Sequence, residues 1–330
     1  MPRSALRFAS TLRAATFSFC KFPEDAAQQL QFPNLQHLAL ASVTISEDSL
    51  HAMLDGCPAL DKFVLRYIIN GSSPGPQVPL SALHVSNIRV AEFGSCHFPE
   101  AIVNQVHFPN LQRLVLETVT ISEGSLHAML SGCPDLNSLT MGYSSGFHQF
   151  KINALKLKYV EMYFHGSYAD RLQELVVENA SCLETLHHKG PYEDNMHISI
   201  ISAPKLKILG RLADNISRLE LGTNVFKTPT AGKNTQRHCS RGRIECLNHH
   251  LKKLQISYYS GKRSHVEFAK FFVLNAGVIE SLGLDVYPNK HLSGWWIEIQ
   301  RRQLRPEKRA SIGAQIDFTF GVCSSYLRDG

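Results

Sequence analysis

Part of this chain is written twice, and a chain that tolerates tandem repetition is confined to folds built by adding like units. Phe32–Leu60, FPNLQHLALASVTISEDSLHAMLDGCPAL, returns at Phe108–Leu136 as FPNLQRLVLETVTISEGSLHAMLSGCPDL, with roughly three-quarters of the positions identical. The copy extends upstream: SALRFASTLRAATFSFCKFPE from Ser4 aligns with SALHVSNIRVAEFGSCHFPE from Ser81 once one residue is skipped. Residues 4–80 and 81–157 thus form a tandem duplication. A closed globule has no place for a second copy of half its core, whereas a solenoid packs each new unit on its neighbour as the old one packed.

Inside each block the shorter period is about 25 residues, within the range of leucine-rich repeats. The strand pattern L-x-x-L-x-L stands at Leu35/Leu38/Leu40, Leu60/Phe63/Leu65, Leu111/Leu114/Leu116, Leu136/Leu139/Met141, Leu172/Leu175/Val177, Ile216/Leu219/Leu221, Leu251/Leu254/Ile256 and Ile279/Leu282/Leu284, with weaker copies at Leu183 and Leu206. After each strand in the duplicated block a helix is expected. Ser46 and Ser122 are placed to cap, Leu50, Met53 and Leu54 make an apolar stripe, and Gly56 with Pro58 ends the first helix. Val43 and Val119 stand where such repeats usually carry asparagine or cysteine, so the repeats are irregular. The fold class is α/β, a leucine-rich-repeat solenoid of ribonuclease-inhibitor type, with a parallel sheet on the concave face and helices on the convex face.

Along each strand the residues between the core leucines point away from the core. On that ground His37, Lys62, Arg66, Arg113, Glu117, Glu174, Glu178, Arg218 and Glu220 are candidate partner contacts on the concave face. Their mixed signs favour a protein partner over a polyanion.

Charge is unevenly placed: residues 227–309 hold 16 lysines and arginines against 6 acids, in a chain of net charge +6. Nucleic-acid binding by this third is the alternative that the charge raises, but Tyr258, Tyr259, Trp295 and Trp296 fall in an expected strand and helix and are not interleaved with the charge as a stacking platform needs. Of eight cysteines, Cys20 and Cys96 are one position copied, as are Cys57 and Cys133, so they read as reduced core thiols rather than disulfides. The N-terminus is rich in arginine and poor in acid like a transit peptide, but it copies an internal repeat, which argues against a removable leader. No secretory h-region is present, and the run Phe271–Ile279 is too short to span a bilayer. The expectation is a soluble protein of the cytoplasm or nucleus.

Catalytic chemistry finds no foothold. Cys239, Cys246, His249 and His250 are the one cluster that suggests zinc, and their spacing fits no common finger. His51 and His127 are duplicates on helices, His187 and His188 read as one buried and one exposed, and the loop Gly71–Pro79 has too much proline and no lysine for a phosphate cradle. No nucleotide, hydrolase or zinc-protease motif occurs. No enzyme activity, cofactor or metal is expected.

From His250 onward the chain runs HLKKLQISYYSGKRSHVEFAKFFVLNAGVIESLGLDV, then WWIEIQRRQL and RASIGAQIDFTF. These phrases resemble the FBD region that ends the plant F-box/LRR proteins, and FPNLQRLVLETVTISEGSLHAMLSGCPDL, ISAPKLKILG and ISRLELGTNVF resemble that family's repeats. Read physically, Ser264 with Glu267 predicts a capping box, Phe268, Phe271 and Phe272 a helix face, and Ile316, Phe318 and Phe320 a terminal strand. The expected organisation is repeats over 1–226, a polar loop or lost repeat at 227–248, and an FBD-like region over 249–330 that continues the solenoid. The resemblance implies a substrate-recognition part of an SCF-type ubiquitin ligase. The F-box that would dock a Skp-type adaptor has no counterpart before Ser4, so that adaptor is not an expected partner, and a stand-alone or decoy binding protein is the alternative.

Overall fold

The computed structural model describes residues 8–22, 31–67, 78–100, 106–163, 172–189, 196–212, 216–222, 224–227, 238–239, 245–286 and 293–320. The chain forms two compact units, Met1–His148 with Gly166–Leu172, and Gln149–His165 with Gln173–Gly330.

The first unit runs β1 (Ala14–Ser18), β2 (His37–Ala41), α1 (Glu47–Asp55), β3 (Lys62–Arg66), β4 (Val90–Gly94), β5 (Arg113–Glu117), α2 (Glu123–Ser131) and β6 (Ser138–Gly142). Each strand pairs in parallel with the next, without a register slip. Where both copies are described in this unit, they fold alike. Ser46 Oγ accepts from the Ser49 amide at 3.3 Å and Ser122 Oγ from the Ser125 amide at 3.2 Å, each satisfying a donor that the first helical turn leaves open. Leu50, Met53 and Leu54 of α1, and Leu126, Met129 and Leu130 of α2, are buried. Each such side chain contributes about 1.5–3 kcal/mol on leaving water. Gly132 ends α2 where a Cβ would stand 2.6 Å from the Val106 carbonyl oxygen, a close approach that no other residue permits.

Val43 and Val119 are fully buried, as apolar replacements of the usual ladder residue must be. Polar ties between successive repeats run elsewhere. The Asn34, Asn87 and Asn110 amides donate to the carbonyls of Ser10, Pro58 and Ser86 at 2.8, 2.9 and 2.9 Å, fastening each turn ahead of its strand to the preceding one.

The second unit contains β7 (Gln149–Asn153), β8 (Tyr159–Tyr163), β9 (Glu174–Asn179), β10 (Thr185–Lys189), β11 (Met196–Ile200), β12 (Ile208–Leu212), β13 (Ile216–Leu221), β14 (Asn224–Lys227), β15 (His238–Cys239), α3 (Glu245–His249), β16 (Lys253–Tyr259), α4 (Arg263–Asn275), β17 (Ser281–Val286), α5 (Gly294–Leu304) and β18 (Gln315–Phe320). From β7 to β13 the chain alternates between two sheets. One orders β8, β10, β12, β16, β17 and β18; the other orders β7, β9, β11 and β13 and closes with antiparallel β14 and β15.

This corrects two expectations. In this unit the layer expected to be helical is, up to β15, a second sheet. The strong patterns at Leu172 and Ile216 supply strands β9 and β13 of that sheet, while the weaker ones at Leu183 and Leu206 supply β10 and β12 of the first. The reason lies in the segments between strands: residues 146–222 carry no capped stripe of period 3.6, whereas Val176, Val177, Ile198 and Ile200 suit a strand. Further on, α4 starts at Arg263 with Lys262 as N-cap and no side-chain capping bond, so Ser264 and Glu267 do not form the expected box. His265 takes part in that turn instead, accepting from the Ser260 amide at 3.0 Å through Nδ1. Phe272 is fully buried with Phe268 and Phe271 edge-on at 5.3 Å, and β18 is the expected terminal strand. The polar stretch 227–248 holds β15 and α3; residues 228–237 and 240–244 lie outside the described ones.

Candidate protein-binding face

In β2 to β6 the second and fourth residues are buried, from Leu38 and Leu40 to Leu139 and Met141. The first, third and fifth therefore project from the other face, and exact pairing lines them up across the sheet. His37, Lys62, Val90, Arg113 and Ser138 make one row; Ala41, Arg66, Gly94, Glu117 and Gly142 make another. Five predicted contacts, His37, Lys62, Arg66, Arg113 and Glu117, thus share one face of one sheet.

Between those rows stands Glu92, which the leucine pattern did not flag because its strand, VAEFG, has no leucine. The signal was the copy alignment, which sets Arg89–Ser95 against Arg13–Phe19. Lys62 Nζ lies 2.7 Å and Arg66 Nη2 3.3 Å from the Glu92 carboxylate, and Arg66 Nη2 reaches Glu117 at 3.7 Å. Burial alone raises the Glu92 pKa, but Lys62 and Arg66 outweigh it and hold the carboxyl below the usual range. The network is arranged by the fold before any partner arrives. Arg113 has no ion-pair partner among the described residues.

At the end of every strand in this unit the backbone turns left-handed at a residue other than glycine. Phe19, Ser42, Tyr67, Ser95, Thr118 and Tyr143 have φ of 51, 53, 53, 49, 56 and 51°. Each of the first five amides still donates to the neighbouring strand at 2.7–3.1 Å, from Phe19 onto Ala41 to Thr118 onto Gly142. That ladder holds the chain in a conformation costing roughly 1–2 kcal/mol per residue. Three of the six are aromatic and well exposed: Phe19 (87%), Tyr67 (50%) and Tyr143 (45%).

The other four predicted contacts stand elsewhere. Glu174 and Glu178 are on β9, and Arg218 and Glu220 on β13, all in the second sheet of the second unit rather than on its first sheet. Glu174 accepts from Gln149 Nε2 and lies 2.9 Å from His197 Nδ1, while Glu220 pairs with Arg218, accepts from Ser199 Oγ at 3.0 Å and lies 3.7 Å from His197 Nε2. Burial raises the Glu220 pKa, and Ser199 and Arg218 more than reverse this. The first sheet of this unit carries instead Tyr159, whose hydroxyl donates to Glu161 at 2.8 Å, and Asp285, which accepts from Gln255 at 2.8 Å and Thr319 at 2.5 Å. His187 is half-buried there, its pKa lowered by burial, and His188 is buried in the core with its pKa lowered to about 4 by burial.

The remaining clusters can be placed. The His249 and His250 rings stand 6.4 Å apart, and the Cys239 side chain lies outside the described residues. Among the described residues no three metal-ligating side chains converge, and no helix is long and apolar enough to cross a membrane. His51 sits on α1 beside Asp55 at 3.4 Å, well exposed.

Repeating parallel strands with an outward row of charge define a leucine-rich-repeat protein. The family model described as "FBD-associated F-box protein At5g56370, LRR repeats" matches residues 1–74 and 67–240, and the model of the FBD domain matches residues 240–284. The chain belongs to the leucine-rich-repeat family of FBD-associated F-box proteins, and its two regions make it a protein-interaction module. No curated protein sequence matches it.

Proposed function

We propose that the outward face of β1 to β6 grips a protein partner, and that the chain serves as the substrate-recruiting part of a cullin-type ubiquitin ligase. The observation that carries the reading is the alignment of five predicted contacts with Glu92 in adjacent rows of one sheet. Charges held this way are preorganised, so a partner need not offset the entropy of ordering them. The ligase clause rests on family membership alone. A photo-crosslinking residue introduced at position 37 or 113 is expected to capture a partner in cells, and the same residue at position 51 or 127, on the helices, is not. Cells carrying Lys62→Glu with Arg113→Glu are expected to accumulate the captured protein. Crosslinks confined to positions 51 and 127 would refute the surface, and an unchanged partner level would refute the degradative role.

A further inference from the structure

In the first unit the two described helices and the starting end of the strands carry opposite charge. The helices α1 and α2 carry Glu47, Asp48, Asp55 and Glu123 and no lysine or arginine. Where the strands begin, the described residues of the sheet carry Arg13, Lys62, Arg89 and Arg113. Arg89 is bound to Asp61 at 2.5 Å and Lys62 to Glu92 at 2.7 Å, while Arg13 and Arg113 have no ion pair among the described residues, and the Lys62 ammonium keeps further donors for a second carboxylate. At the other end of the strands stand the exposed rings of Phe19 and Tyr67. Strand position one and the left-handed residue at position six are about 17 Å apart at ~3.3 Å per residue. A basic band and an aromatic rim therefore face one occupant across the width of the sheet.

We infer that the occupant of this face is an acidic segment of a partner protein that carries an aromatic or large aliphatic side chain. Its carboxylates meet Lys62 and Arg113, and its apolar group rests against Tyr67 and Phe19. Aromatic anchors held in one backbone conformation lose little entropy on binding, and a rim cation steers an acidic partner in. Glu92 and Glu117 stand between the two bands, which disfavours nucleic acid, because an unbroken run of phosphates crossing the sheet would meet both carboxylates. The inference rests on the proposed use of this face and adds the chemistry of what it binds.

The test is selection of random linear peptides by display on the purified full chain. Acidic peptides with an aromatic or leucine residue are expected to be enriched. Their affinity is expected to fall about tenfold with Lys62→Glu, Arg113→Glu or Tyr67→Asn, and to be unmoved by Glu174→Lys on the second sheet. Asparagine tolerates the left-handed backbone, and thermal unfolding of each variant checks that the fold survives. Enriched peptides that are neutral or basic yet still need Lys62 and Arg113 would overturn the chemistry and leave the face standing. Acidic peptides indifferent to all three substitutions would overturn the face itself. No enrichment, or binding only of a poly-uridine RNA probe that competes at Lys62, would also overturn the inference.

Discussion

Arg66 reaches Glu117 by lying across Gly94. The three residues are in register on β3, β4 and β5, and a Cβ at position 94 would stand 3.0 Å from Arg66 Cγ. The missing side chain on the middle strand thus lets a charge on one strand neutralise a charge two strands away. The His187 ring lies over Gly210, its Cδ2 occupying the place that a Cβ would take. A glycine in a strand interior lowers strand propensity, so at Gly94 the sheet exchanges some strand preference for a bridge across its face, and at Gly210 for room for the His187 ring.

Replacing Gly94 by alanine tests this arrangement. The residue gains strand propensity but pushes Arg66 off its track. The cost of Gly94→Ala in wild-type protein is therefore expected to exceed its cost in an Arg66→Ala background by about 0.5–1 kcal/mol. A double-mutant cycle in urea measures the difference, and additive effects would show that Gly94 and Arg66 are independent.

His188 predicts an acid-sensitive core. It fills the place of the third leucine of its repeat and is 2% exposed. Burial lowers its pKa from 6.5 to about 4. Between those values the unfolded chain takes up a proton that the folded chain refuses, so stability is full above pH 6.5 and falls as pH drops toward 4, by up to ~3 kcal/mol. His188→Leu is expected to flatten this slope. Denaturation midpoints across that pH range check it, and an unchanged slope would place the sensitivity in other groups.

The two helices of the duplicated block were legible almost to the residue, because caps, stripes and stops there agree with one another: Ser46 and Ser122 cap, and Gly56 and Gly132 end their helices. The second unit was legible only as strands. An alternating run such as Leu172 to Val177 says that a strand is present and which side is buried, but not which of two sheets it joins, and so the sequence does not reveal that Glu174, Glu178, Arg218 and Glu220 stand on a different sheet from the leucine-patterned strands β10, β12, β16 and β17 of their unit. Glu92 was hidden by a strand whose core residues are alanine and phenylalanine. The left-handed ladder was invisible for a different reason: Phe19, Tyr67 and Thr118 carry no preference for positive φ, and the neighbouring strand imposes it through hydrogen bonds that no single repeat contains.

Tyr259, inside the FBD match, ties β16 to α5, which lies beyond that match. Its hydroxyl donates to Gln300 Oε1 at 2.9 Å inside the core, and burial pushes its pKa up. Gly261, two residues on, has φ of 72°, and a Cβ there would stand 2.8 Å from the same oxygen. Tyr259→Phe removes the donor and is expected to cost about 1–2 kcal/mol. Gly261→Ala is expected to cost more, because it adds backbone strain to displacement of Gln300. The order of the two midpoints in a thermal melt is the check, and a milder Gly261→Ala would mean that Gln300 yields freely.

The second sheet of the second unit gives the control for the proposed recognition face. Glu174 and Glu220 flank His197 at 2.9 and 3.7 Å, and Gln149, Ser199 and Arg218 complete the group. These side chains are engaged with one another across four neighbouring strands, an arrangement that ties the sheet together. Glu174→Lys places a cation beside His197 and forfeits the Gln149 bond, and is expected to destabilise the chain by about 1–2 kcal/mol while leaving partner capture intact. Arg113→Glu, on an exposed position without an ion-pair partner among the described residues, is expected to change stability by less than about 0.5 kcal/mol and to abolish capture. Measuring unfolding and crosslinking on both variants separates the two roles. If Arg113→Glu unfolds the chain, or if Glu174→Lys alone prevents capture at wild-type stability, the recognition surface has been placed on the wrong sheet.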